Sequence, residues 1–129
     1  MIKTIKRAIN YIKYKTRSLG LPKRSSKWRK LEKDFLEKNS FCAVCGSKQT
    51  LNVHHIKPFH LYPELELDVN NLITLCMGKK ECHLLIGHGA DFKAYCNRVK
   101  KYAQEVQDNK KTLQEIYEIA KQCRKYERS

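Results

Sequence analysis

Two pairs of cysteines, Cys42 with Cys45 and Cys76 with Cys82, bracket two adjacent histidines, His54 and His55. No other feature restricts the fold of this chain so much. Cys42-x-x-Cys45 followed by Gly46 is a tight knuckle that turns both sulfurs toward one ion, with glycine relieving the backbone after the turn. The knuckle needs a second pair, and Cys76-x5-Cys82 supplies it, the inserted residues 77–81 looping out where Gly78 permits a turn. Brought together by a hairpin, the two pairs make a tetrahedral four-thiolate zinc site. In small domains the binding free energy of such an ion is largely folding free energy. A chain of 129 residues has a modest core that gains from a metal staple.

Six cysteines in a secreted chain could instead form three disulfides. The first fifteen residues are interrupted by Lys3, Lys6, Arg7 and Lys13, which is unlike a secretory leader. A reducing cytoplasm, with cysteines as metal ligands, is therefore expected. No apolar run approaches membrane-spanning length.

Apolar periodicity supplies the flanks. Ile2, Ile5, Ile9 and Ile12 recur at helical spacing over residues 2–15. Ser25 or Ser26 is placed to cap a helix with Trp28, Leu31 and Phe35 on one stripe, ending near Asn39. Leu51–Ile56 and Leu72–Cys76 read as strands, with Pro58 stopping the first and a loop from Phe59 to Asn70 between them. Two further helices are expected over 91–106 and 112–125, and their apolar faces take in Cys96 and Cys123, which read as core.

At the end of a strand His54 and His55 leave on opposite faces. They do not easily share one ion. A division of labour follows: one binds metal and the other is free to act as a base, a role that suits an imidazole with an unperturbed pKa of ~6.5. If a helix starts at Cys82-His83, the two side chains point about 100° apart, Cys82 toward zinc and His83 toward a second ion. Two imidazoles leave coordination positions open for water and phosphate, as metal-assisted hydrolysis requires.

Together, Phe41-Cys42-Ala43-Val44-Cys45-Gly46, Leu51-Asn52-Val53-His54-His55-Ile56 with Pro58, Leu67 to Cys76 with Asn70-Asn71, and Cys82-His83 resemble an HNH endonuclease. The resemblance spans about residues 26–95 and is closest to the small zinc-knuckle kind of phages and mobile elements, which implies a prokaryotic or viral setting. It implies an α+β fold, a ββα-metal (HNH) finger with a four-cysteine zinc knuckle, flanked by N-terminal and C-terminal helices. The expected organisation is a basic helix and linker over 1–22, the nuclease domain over 23–95, and a helical extension over 96–129 on the same domain.

Carried over by position, His54 and His83 would be ligands of a catalytic Mg²⁺, Mn²⁺ or other divalent ion. His55 would be the general base and Asn71 the residue that ties down the loop and holds the base. Cys42, Cys45, Cys76 and Cys82 would hold structural zinc. Some relatives add a histidine one helical turn later, but five residues beyond His83 is about 140° around an α-helix. His88 is therefore expected as a phosphate contact or loop residue first and a metal ligand second, with Gly87 and Gly89 able to bend the backbone around it. His60 receives no role.

The net charge of +14 indicates the substrate class by its placement. Residues 1–38 carry 13 Lys/Arg against 3 Asp/Glu, whereas residues 39–96 carry 5 of each. Basic flanks around a neutral centre suit a polyanion. Lys23, Arg24, Lys27, Arg29 and Lys30 form the densest cluster and are the expected DNA contacts, of the phosphate-binding kind that carries little sequence information. The expected activity is metal-dependent hydrolysis of DNA, by nicking or double-strand cleavage. The alternative is a zinc-stabilised DNA- or RNA-binding module without activity. Expected partners are DNA and, beyond it, a second copy or a phage or mobile-element protein, with no membrane.

Overall fold

The structure, a computed structural model, describes residues 22–128. The helix expected over 2–15 lies outside them. A first helix, α1, spans Trp28–Lys38 with Trp28, Leu31 and Phe35 half-buried. Its N-cap is Lys27 and has no side-chain cap, contrary to the expected serine. Ser25 acts one step earlier, its Oγ accepting from the Lys27 N–H at 3.1 Å. Asn39 ends the helix, with its backbone and side-chain nitrogens both donating to the Phe35 carbonyl.

Strands β1 (Leu51–His55) and β2 (Leu72–Cys76) form an antiparallel hairpin in which Leu51 faces Cys76 and His55 faces Leu72. The connecting loop contains two short 3-10 turns, Pro63–Leu65 and Val69–Asn71. Every residue of β2 is buried. The knuckle joins the hairpin through the Ala43 N–H, which donates to the Thr74 carbonyl at 2.9 Å. A π-helical turn follows at His83–Gly87, then helices α2 (Val99–Gln107) and α3 (Leu113–Cys123). Thr112 and Glu115 form a reciprocal capping box at the start of α3.

One apolar cluster joins Val44, Ile73, Leu75, Ile86, Val99, Tyr102, Ile116 and Ala120. Full burial of each large aliphatic side chain contributes about 1.5–3 kcal/mol. The architecture is α+β, and no helix among the described residues is long and apolar enough to cross a membrane.

The helix expected over 91–106 begins only at Val99. Upstream, Tyr95 exchanges two backbone hydrogen bonds with Lys125, and Asp91 Oδ1 accepts from the Lys93 N–H at 2.9 Å. These pairings compete with a helix and leave Phe92 47% exposed. Cys96 consequently lies outside the helix, yet it is fully buried with its Sγ against the Ala120 carbonyl at 3.2 Å.

Candidate metal centre and neighbouring histidine

The four cysteines converge. Sulfurs of Cys42, Cys45, Cys76 and Cys82 all lie within 4.8 Å of one another, and Cys45 and Cys76 are 3.6 Å apart. A tetrahedron with zinc–sulfur bonds of about 2.3 Å places its sulfurs about 3.8 Å apart, so the group can hold such an ion. In the knuckle, the Gly46 N–H donates to the Cys42 carbonyl at 2.9 Å, and Gly46 takes a φ of +75°. The 77–81 loop does turn, but its left-handed residue is Glu81, at φ +46°, rather than Gly78. Cys42 is lowered to about 4, chiefly by a hydrogen bond from the Cys82 thiol. Cys82 is pushed up by the same bond and by burial, and Cys45 is raised chiefly by burial. Sulfurs this close do not all ionise unaided, and a bound cation is what allows four thiolates.

On the other side of β1, three histidines converge. The rings of His54, His83 and His88 form a triangle with every pair of centroids 4.8 Å apart. The π turn closes the five-residue spacing: the His88 N–H donates to the His83 carbonyl at 3.1 Å, an i to i+5 bond. His83 and His88 therefore share a face, with their Nε2 atoms 3.1 Å apart. The α-helical offset that ranked His88 second as a ligand does not apply.

The partners of each ring set its tautomer. His88 Nδ1 donates to the Ala94 carbonyl at 2.7 Å, which leaves its Nε2 lone pair toward the cluster. His83 Nδ1 faces the Met77 thioether at 2.8 Å, another group that only accepts. His54 Nε2 is buried without a hydrogen-bond partner. Burial first, then the neighbouring imidazoles, pull His54 well below its ordinary value and His83 to about 3. Two rings held neutral, the His88 Nε2 facing them and one orphaned buried nitrogen form a donor set that fits a divalent cation. Gly87 makes room for it: a Cβ there would lie 3.1 Å from His54 Nε2 and 3.0 Å from Leu75 Cδ1.

His55 points away from this triangle. Its Nε2 lies 2.9 Å from the Glu66 carbonyl, so Nε2 carries the hydrogen and Nδ1 keeps the lone pair. The Trp28 ring covers it, with centroids 4.4 Å apart and planes tilted by 32°. Burial lowers His55 from its ordinary value, partly offset by the Glu66 carbonyl. Asn71 spans the base of the loop: Oδ1 accepts from the Lys57 N–H at 2.9 Å, and Nδ2 donates to the carbonyls of Lys57 at 3.0 Å and Leu65 at 3.4 Å. The loop that presents Glu66 to His55 is thus tied to the end of β1.

Glu66 went unnoticed in the sequence. Its carboxylate is 5% exposed and accepts from the Ser25 N–H at 2.9 Å and from Arg24 at 3.3 Å. Arg24 also lies over Trp28 and Phe59, so it belongs to the frame around His55. No local pattern signals a contact between residues 42 apart. Lys23, Lys27, Arg29 and Lys30 are exposed beside α1, and His60 is exposed in the loop after Pro58. A cavity of about 310 Å³ lined by Phe35, Phe41, Val69 and Lys100 contains none of the histidines.

Residues 42–89 match the family model described as HNH endonuclease. No curated protein and no solved structure matches the chain.

Proposed function

Because residues 42–89 match the HNH endonuclease family model, we propose that the chain is a metal-dependent endonuclease that hydrolyses DNA phosphodiester bonds. That match supports a nuclease or nucleic-acid function and a metal-binding ββα fold. The finer reading is supported above all by the opposed fates of two neighbours. His54 joins a three-imidazole cluster, while His55 has one ring nitrogen fixed by a carbonyl and the other left basic.

In this reading Cys42, Cys45, Cys76 and Cys82 hold structural zinc, and His54, His83 and His88 hold the catalytic ion. That ion, when bound, supplies positive charge against the charge developing on the phosphate and its leaving oxygen. His55 takes a proton from water at Nδ1, and the resulting hydroxide attacks phosphorus in line, leaving 5′-phosphate and 3′-hydroxyl ends. The Glu66 carbonyl holds the tautomer that keeps Nδ1 unprotonated, and Trp28 and Asn71 restrict the ring and its loop. Lowering by burial keeps His55 neutral, and able to accept a proton, at physiological pH. Lys23, Lys27, Arg29 and Lys30 would meet DNA phosphates, giving binding that weakens steeply with salt.

Supercoiled plasmid incubated with the protein in Mg²⁺, in Mn²⁺ and in EDTA tests the reading. Nicking or linearisation in either metal and none in EDTA is expected. DNA retarded on a gel but uncut in every metal would favour a zinc-stabilised binding module.

A further inference from the structure

We infer that residues 124–128 are a strap that sets the histidine cluster against the His55 arm, with Arg124 and Arg128 as positioning residues at its two ends. The inference rests on the reading of His54, His83 and His88 as metal ligands and of His55 as the base.

The strap leaves the end of α3 and crosses two loops in five residues. Arg124 Nη1 donates to the Gly89 carbonyl at 3.0 Å, one residue from His88. Lys125 and Tyr95 exchange backbone bonds of 2.8 and 2.9 Å. Tyr126 donates its hydroxyl to Asp91 Oδ2 at 2.9 Å, and the Tyr95 hydroxyl donates to the Glu127 carbonyl at 2.8 Å. The far end turns to the other loop. Arg128 donates to the Leu61 carbonyl at 3.2 Å, pairs with Glu64 at 2.6 Å, and lies over the Tyr62 ring.

Each loop supports one half of the site. Residues 89–95 follow His88 directly and include Ala94, whose carbonyl fixes the His88 tautomer. Residues 61–64 precede Leu65 and Glu66, whose carbonyls accept from Asn71 and His55.

Two further observations favour positioning over simple stability. The backbone after His88 is strained: Gly89 and Ala90 take φ values of +58° and +70°, a conformation unfavourable for alanine. Such a turn persists only when surrounding contacts over-determine it. A Cβ at Gly89 would lie 2.7 Å from Arg124 Cβ and from the Ala120 carbonyl, so the strap and α3 press directly on this turn. The second observation is exposure. The Arg128–Glu64 pair is about half exposed on both sides, and exposed ion pairs contribute little to stability. Their placement on the loop that presents Glu66 to His55 is what distinguishes these contacts.

The test uses the full-length, zinc-loaded protein as wild type, Arg124→Ala, Arg124→Lys and Arg128→Ala. Co²⁺ is titrated and followed by visible absorption; Tm and kcat on supercoiled plasmid at saturating DNA and metal are measured alongside. Arg124→Ala should weaken Co²⁺ binding roughly tenfold, as loss of a group supporting a ligand does, and Arg124→Lys should restore most of it. Arg128→Ala should leave Co²⁺ affinity unchanged and lower kcat roughly ten- to a hundredfold, as misplacement of a reacting group does. Variants that lose only Tm, or that lose Co²⁺ affinity and kcat in parallel, would overturn the strap. A wild type that binds no second ion would remove the reading of the histidines and the inference with it. A wild type that binds one, beside unaffected variants, removes the strap alone.

Discussion

The cysteine group and the histidine group lie on the two sides of one short hairpin, and each gathers its donor atoms within 4.8 Å. They are built in opposite ways. The cysteines come from a knuckle, a strand end and the residue before a turn, so an ion among them would join three separate segments. Two of the three histidines come from a single π turn and its cap, which meet Leu75, the Ala94 carbonyl and Arg124 from outside. In the proposed reading the first group is ordered by the ion it would hold, and the second by the fold. Thiols whose proton affinities pull apart would then be aligned by their ion, whereas His54 and His83 are neutral beforehand.

This contrast breaks most visibly at Cys76. Cys76→Ser should abolish the cooperative thermal transition, since zinc in small domains contributes on the order of 10 kcal/mol to folding. His83→Ala should keep that transition, and circular dichroism during heating compares the two. Equal losses of structure would erase the distinction between the sites.

Gly87→Ala probes the prearranged side. A Cβ 3.1 Å from His54 Nε2 must displace the ring, so affinity for a second ion should fall roughly tenfold while the zinc knuckle is retained. Isothermal titration of the zinc-loaded variant measures it, and unchanged affinity would show that the ring has room.

Proton release sharpens the same comparison with a smaller signal. Cys45 and Cys82 are raised, so both are thiols at neutral pH and must give up two protons when zinc binds. His83, lowered to about 3, and His54, lowered well below its ordinary value, are already neutral there. Acid should therefore not compete with an ion for these two rings as pH falls from about 7.5 toward about 6, because it competes for a ring only as that ring's own pKa is approached. Titrations in buffers of different ionisation enthalpy should find at least two protons released by the knuckle and fewer at the histidine site. Appreciable release at the second site would mean that one ring is protonated.

How much of this was readable in the chain depends on distance along it. The knuckle, both strands and the start of α3 follow from local spacing, and the opposite faces of His54 and His55 follow from strand geometry. His88 needed the π turn. A helix of ordinary pitch carries the fifth residue well away, and neither Gly87 nor Gly89 announces which hydrogen bond the backbone will make. The non-helical segment before Val99 needed Lys125, which lies 30 residues beyond its partner Tyr95. Glu66, Arg24 and the strap were silent for the same reason: they act through contacts that apolar periodicity does not encode.

The divided duty of His54 and His55 is tested most directly by counting bound divalent ions in wild type, His54→Ala and His55→Ala while assaying plasmid cleavage on the same samples. With one ion for each donor group, wild type and His55→Ala should each bind two. His54→Ala should bind one, and neither variant should cut. A His55→Ala protein that loses an ion or still cleaves DNA, or a His54→Ala protein that keeps both ions, would contradict the assignment.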